Sequence, residues 1–199
     1  MSKPGFRKGR PGGGKGGTRE SDEGFVSSSM FSQAQILHLM KTEFARSRRH
    51  GFPLGCLLLQ VDRIAQLVDL YGMELRGKVR ETLGRLVREK TRGADMLGIV
   101  NEDRYLLVLP HANIDQTRIV AERLKQLFRE YEVVADGRQL DLGLSIGLTA
   151  TGDSQAMFFD TLVGQAEAAL DFALQVGNRI ASFGETQLLG GEPPRGDRA

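Results

Sequence analysis

Three residues near the start of the chain, Gly9, Gly14 and Lys15, match most of a phosphate-binding P-loop. Gly16 stands where the Ser or Thr that holds magnesium would be. No strand is predicted before this stretch and no helix after it, so it lacks the context in which a P-loop works. We interpret it as part of a flexible basic arm.

The histidines and the cysteine offer little more. His38, His50 and His111 are not arranged with Cys or carboxylates at the spacing of metal ligands, so we expect no metal and no cofactor. Cys56, the single cysteine, lies in an apolar run from Leu54 to Leu59. That setting predicts a buried structural thiol and excludes an internal disulfide.

An Arg-x-x-Asp pattern occurs at 19–22, 92–95 and 138–141. As a bare pattern it predicts no more than a surface ion pair, worth about 0–1 kcal/mol. Only its place in the fold can give one of the copies a function.

Composition restricts the classes of protein to which the chain can belong. The 199 residues carry a net charge of only +2, which argues against a dedicated nucleic-acid binder. No apolar stretch reaches the length of a membrane span, and the basic start lacks the apolar segment of a signal peptide, so we expect a cytoplasmic protein. We predict disordered tails at 1–28 (basic, Gly-rich) and 187–199, around one domain at 29–186.

Within that domain the pattern alternates helix and strand. Apolar residues at helical spacing predict helices over 31–49, 63–70, 74–90, 114–128 and 157–176. Apolar or alternating runs predict strands over 53–61, 96–100, 105–109, 131–135, 139–150 and 179–183. On the helix at 114–128, we expect Ile119, Val120, Leu124 and Leu127 to face inward. The order predicts an α/β sandwich with a central, mostly antiparallel sheet flanked by helices.

With these elements in this order, residues 31–184 resemble the GGDEF (diguanylate cyclase) family. The resemblance rests on the stretches LLLQVDRI at 57–64, DLYG at 69–72, LLVLP at 106–110, AERL at 121–124, LSIGL at 144–148 and AEAALDFALQVGNRI at 166–180. It implies the nucleotidyl-cyclase-like fold of that family, and fold alone does not give function.

The family's signature is degenerate here: its five positions fall on Asn101, Glu102, Asp103, Arg104 and Tyr105. An active cyclase joins two GTP molecules, which requires metal held by carboxylates and backbone glycines against the phosphates. Asp103 keeps one metal position, whereas Glu102 repels a triphosphate and Arg104 replaces the signature Glu.

The remaining catalytic positions are lost as well. The resemblance places the other metal carboxylate on Gln60, the guanine contacts on Val68 and Gly77, and the phosphate-binding Lys and Arg on Leu174 and Asn178. Because each loss removes a preorganised interaction, we expect the chain not to be an enzyme and to have no catalytic residues.

The copy of Arg-x-x-Asp at 92–95 lies five residues before the signature, where many members of the family bind cyclic di-GMP. The resemblance assigns this role to Arg92 and Asp95, with Arg123 on the next helix as support. A guanidinium can pair with guanine O6 and N7 or with phosphate, and a carboxylate can accept from guanine N1–H.

The leading hypothesis is therefore a cyclic di-GMP receptor in bacterial second-messenger signalling. It would act on an unidentified effector protein, and ligand-linked homodimerisation would be a natural output. One alternative is a nucleotide-independent protein-interaction scaffold. Another is residual GTP binding at the old active site, for which Asp103 is the main support.

Overall fold

In a computed structural model, the described residues are 30–135, 137–152 and 158–189. The predicted tail at 1–28 lies outside them. Their elements are α1 (Gln33–His50), β1 (Leu54–Val61), α2 (Ile64–Tyr71), α3 (Glu74–Lys90), β2 (Met96–Ile99), β3 (Arg104–Pro110), α4 (Ile114–Glu130), β4 (Val133–Ala135), β5 (Arg138–Leu140), β6 (Leu144–Ala150), α5 (Phe159–Val176), β7 (Ile180–Ser182) and α6 (Phe183–Leu189).

Five of these strands form the central sheet, in the order β2-β3-β1-β6-β7. The pairs β2–β3, β3–β1 and β1–β6 are antiparallel, and β6–β7 is parallel. The predicted α/β sandwich with a mostly antiparallel sheet is therefore confirmed.

Alternate residues of β1 enter two cores on opposite faces of the sheet. Leu57 and Leu59 pack with α2, α3 and α4, whereas Cys56 and Leu58 pack with α1 and α5. A strand covered on both faces needs the continuous apolar run that the sequence has. None of the described helices is long and apolar enough to cross a membrane.

The chain reaches this sheet at its outer edge. Phe31 forms a parallel bridge to Gly98 of β2, with its N–H donating to the Leu97 carbonyl at 2.9 Å and its carbonyl accepting from Ile99 at 3.0 Å. Helix α1 then starts at a capping box made by Ser32 and Gln35.

The strand predicted at 139–150 is wrong in extent. The structure breaks it at 141–143: β5 pairs with β4 in a separate two-stranded sheet, while β6 joins the central sheet. Leu142 lies in the break and is still buried in the core, so apolar alternation continues where strand pairing stops.

Three of the four residues of α4 expected to face inward do so: Leu124 is buried, and Val120 and Leu127 pack partly buried against the core. Ile119 is the exception. The buried residues of the helix are Thr117, Ala121, Leu124 and Phe128, while Ile119 is 60% exposed. Residues 117, 121, 124 and 128 share one helical face, and Ile119 lies off it. The short helix α6, which the sequence pattern does not predict, continues the folded part to Leu189.

Candidate functional site

The Arg-x-x-Asp segment at 92–95 forms the turn between α3 and β2. Helix α3 ends at Lys90, and the Asp95 N–H donates to the Arg92 carbonyl at 2.9 Å. In return the Asp95 Oδ2 accepts from the Arg92 backbone N–H at 2.8 Å. This reciprocal pair holds the carboxylate in place and leaves the Arg92 side chain exposed.

Arg123, on α4, lies on the same side of the domain as this turn. Arg92, Asp95 and Arg123 together line a cavity of about 410 Å³. The structure therefore brings together all three residues that the sequence singled out. The rest of the wall is mixed. The end of α3 and the residue after it contribute Glu89, Lys90 and Thr91, and β3, the loop after it and α4 contribute Leu109, Pro110, His111, Ala112, Gln116, Ile119 and Val120.

Asp95 is half-buried in this wall. Burial raises the pKa of its carboxyl group, because the charged form loses hydration. The Arg92 backbone N–H and the charges of Arg92 and Arg123 act in the opposite direction. The carboxylate is thus a desolvated acceptor between two cations.

The turn at 92–95 also borders a second cavity, of about 260 Å³. Arg92 and Asp95 line both cavities, and Met30 and Phe31 line the second one. The turn therefore lies between the larger cavity and the smaller one, which is lined by the first described residues, Met30 and Phe31.

The other copies of the pattern are elsewhere. Arg138 is exposed on β5, and Asp141 lines two different cavities with Arg129. The copy at 19–22 lies outside the described residues.

The residues at the positions that the resemblance assigns to the signature make contacts within the protein. Gln60 and Arg104 are directly opposite on β1 and β3, and Arg104 Nε donates to Gln60 Oε1 at 3.0 Å. Arg104 Nη2 also donates to Asp171 Oδ1 at 2.6 Å. A guanidinium thus lies among the groups where a metal would require carboxylates.

Asp103, the retained acidic position, is engaged by Arg76 of α3. Its Oδ1 accepts from Arg76 Nε at 2.9 Å, and its Oδ2 from Arg76 Nη2 at 3.4 Å. Arg76 also lies 3.3 Å from a carboxylate oxygen of Glu102. The sequence pattern does not predict this pair, because the partners are 27 residues apart in the chain.

The other signature residues have structural roles. Asn101 Oδ1 accepts from the backbone N–H groups of Asp103 and Arg104 at 3.1 and 2.9 Å, which closes the turn between β2 and β3. Tyr105 is buried, and burial raises the pKa of its phenol.

The positions carried over from the guanine and phosphate contacts are spread over different surroundings. Val68 is buried in the core on one face of the sheet, and Leu174 packs against the core on the other face. Gly77 is exposed on α3. Asn178 takes a left-handed backbone, φ 47°, and its backbone N–H donates to Asp62 Oδ2 at 2.5 Å.

Across the parts of the chain that the structure describes, no group of three or more His, Cys, Asp or Glu is placed to hold a metal ion. Cys56 is fully buried, and burial raises the pKa of its thiol to about 12. His38 is exposed on α1, away from the cavity, whereas His111 lines it. Nothing in the sequence pattern marked His111 as a site residue.

A family model described as "Diguanylate cyclase, GGDEF domain" matches residues 28–179. Among curated proteins, the diguanylate cyclase DosC of Escherichia coli (strain K12) is 27% identical over 162 residues, 78% of this chain and 34% of DosC. Diguanylate cyclase A of Treponema denticola is 23% identical over 136 residues, 68% of this chain and 36% of that protein. The chain spans about a third of the length of these curated relatives.

Solved structures share the fold. The GGDEF domain of DgcB from Caulobacter crescentus in complex with c-di-GMP aligns with a TM-score of 0.72 at 11% identity, covering 78% of this chain and 92% of that one. The diguanylate cyclase SiaD from Pseudomonas aeruginosa, in complex with its activator SiaC, aligns with a TM-score of 0.71 at 24% identity, covering 77% and 58%.

Proposed function

The chain belongs to the GGDEF domain family, and from that premise we propose that it is a non-catalytic receptor for cyclic di-GMP that regulates a partner protein. The observation that carries the proposal is the convergence of Arg92, Asp95 and Arg123 on one cavity of about 410 Å³. This volume is within the range of small-ligand sites, about 300–1,000 Å³.

The chemistry of the wall suits a guanine nucleotide. Two guanidinium groups favour an anion and can donate to phosphate oxygens or to guanine O6 and N7. Asp95, with its backbone partner already in place, has a second carboxylate oxygen available for guanine N1–H and the 2-amino group. A lining that combines charged groups with apolar residues such as Leu109, Ile119 and Val120 is typical of sites that orient a ligand by a few polar contacts.

The absence of catalysis is proposed from the old active site. A cyclase needs carboxylates for the metal, and the resemblance puts the Gln60 amide at one metal position and the Arg104 guanidinium in place of the signature Glu. Arg104 is hydrogen-bonded to Gln60 and paired with Asp171, and Arg76 is paired with Asp103. These contacts support the proposal that the groove binds neither a metal ion nor a triphosphate.

The regulatory output of the receptor is proposed to pass through a partner protein. The complex of the related SiaD with its activator supports protein partnership as a property of this fold, and the c-di-GMP complex of DgcB supports the ligand. Ligand-linked homodimerisation and a cytoplasmic location are part of the proposal. A nucleotide-independent scaffold is the alternative, favoured by Leu70 and Met73, which are 74% and 66% exposed at the α2–α3 corner.

The test is isothermal titration calorimetry of the full chain with cyclic di-GMP, with GTP as the competing ligand. Saturable binding that Arg92→Ala abolishes would support the receptor. Arg138→Ala is the matched control, because it removes an exposed arginine from the same sequence pattern at a place remote from the cavity. No heat from the wild type at micromolar concentrations would leave the scaffold as the better description.

A further inference from the structure

A row of rings lies beside the cavity. In the antiparallel pair β1–β3, Leu54 is opposite Pro110, so residues just before β1 lie next to residues just after β3. At this corner the Phe52 and His111 rings are stacked, with centroids 4.0 Å apart and planes 30° apart. The His50 ring lies on the far side of the row, 6.5 Å from Phe52 and nearly parallel to it.

Phe52 is firmly positioned in this row. Helix α1 ends at Gly51, whose left-handed backbone, φ 72°, turns the chain toward β1. The buried Ser47 then donates its hydroxyl to the Phe52 carbonyl at 2.6 Å. With its backbone tied on one side and β1 beginning two residues later, Phe52 forms a half-buried support for the ring stacked on it.

His111 has a left-handed backbone. Its φ is 60°, in a region where Asn, Asp and His are the enriched residues after Gly, and the residue is exposed. One side of the ring is supported by Phe52, and the residue lines the cavity that contains Arg92, Asp95 and Arg123. An exposed ring that is supported on one face and lies beside a charged cavity is placed to contact a ligand.

We propose that His111 is a further ligand-binding residue: it stacks on the face of a guanine base whose edge is read by Arg92 and Asp95. This inference rests on the proposed function. Charged groups at the edge of a base and a flat ring on its face are complementary contacts, because hydrogen bonds select the base and stacking adds affinity regardless of base type. Phe52 acts through His111 and is a positioning residue.

The test uses two substitutions that separate the ring from the backbone. His111→Asn removes the ring with a residue that tolerates the left-handed conformation, and His111→Phe keeps a ring. By calorimetry we expect His111→Asn to bind cyclic di-GMP about 10-fold more weakly. His111→Phe should stay within about 3-fold of the wild type, as a stacking ring is retained. His38→Asn, on the exposed face of α1, is the control and should change nothing.

A second measurement needs no substitution. The chain has three histidines, so their ring C–H signals can be resolved by NMR. Stacking on a purine should shift the His111 signals upfield as cyclic di-GMP is added, while those of His38 stay fixed.

The outcomes distinguish the stacking role of His111 from the receptor function itself. If the wild type binds and Arg92→Ala does not, but His111→Asn binds normally and the His111 signals do not move, the stacking inference is wrong and the receptor stands. Equal weakening by His111→Asn and His111→Phe would also overturn stacking, since a ring would then not suffice. If the wild type does not bind at all, both proposals fall together.

Discussion

Arg104 Nε donates to Gln60 Oε1 at 3.0 Å across the β1–β3 pair, and the same guanidinium donates to Asp171 Oδ1 at 2.6 Å. One cation therefore ties two strands and helix α5 together at the edge of the sheet. The resemblance places a carboxylate of the related cyclases at each of the first two positions: a metal ligand at Gln60 and the signature Glu at Arg104. Here the charge of the group has been reversed, and its interactions are satisfied within the protein.

The first prediction concerns catalysis. The wild type should form no detectable cyclic di-GMP from GTP and Mg²⁺, because the groove presents a guanidinium where metal ligands are needed. Chromatography of overnight reactions measures this. Product formed in proportion to protein concentration would contradict the proposed loss of activity.

A double variant, Gln60→Asp with Arg104→Glu, should report the charge reversal directly. It puts two carboxylates beside Asp171 and breaks the cross-strand hydrogen bond, so we expect a lower Tm than that of the wild type. Added Mg²⁺ or Mn²⁺ should recover part of the loss in the variant and leave the wild type unchanged. A variant Tm that divalent cations do not affect would count against a residual metal geometry at this edge.

The affinity for cyclic di-GMP should depend on pH through Asp95. Burial raises the pKa of this carboxyl group. Protonation removes the negative charge that strengthens the hydrogen bond from guanine N1–H. The affinity should therefore be highest near neutral pH and should fall as the pH drops through that raised pKa. Calorimetry between about pH 4 and pH 7 measures it. Asp95→Asn should bind more weakly and lose this dependence; a variant that kept it would assign the titration to another group.

Two glycines should respond in opposite directions to Ala. A Cβ on Gly147, in the centre of β6, would collide with the backbone of α5 at Ala166 and Leu170, so Gly147→Ala should lower the free energy of unfolding by about 1–3 kcal/mol. Gly164, on the exposed face of α5, has open space around it, and Gly164→Ala should raise that free energy by about 0.5–1 kcal/mol. Urea unfolding followed by circular dichroism compares the two; equal effects would mean that β6 and α5 are less closely packed than described.

Cys56 should be unreactive in the folded protein. Burial raises the pKa of its thiol to about 12, so almost no thiolate exists near neutral pH, and reagents cannot reach the sulfur. Ellman's reagent at pH 8 should release one equivalent of colour in urea and almost none in buffer. Rapid release in buffer would show that the core around β1 opens easily.

Much of the fold follows from local pattern. Helix α3 has the bounds that its periodicity predicts, Glu74–Lys90, and β1 is buried on both faces as its apolar run predicts. The break between β5 and β6 was missed because Leu142 keeps the apolar alternation without being paired in a strand. Periodicity records burial, and in this segment burial and pairing are separate.

The site was predictable only in part. Arg92, Asp95 and Arg123 came from the family resemblance, and the structure places them on one cavity. The Arg76–Asp103 pair and the Phe52–His111 stack join residues 27 and 59 positions apart in the chain, and no local spacing rule relates such partners. Their contacts exist only once the sheet has brought the elements together.

The turn at 92–95 separates two cavities, and this arrangement has a consequence for the motions of the domain. A ligand that stiffens the turn from the larger cavity also restrains the neighbouring wall, where Phe31 is held to β2 by two backbone hydrogen bonds. The amide protons of Phe31 and Ile99 exchange with solvent only when that edge opens. Their deuterium uptake should therefore slow when a ligand fills the larger cavity, although no residue of β2 lines that cavity.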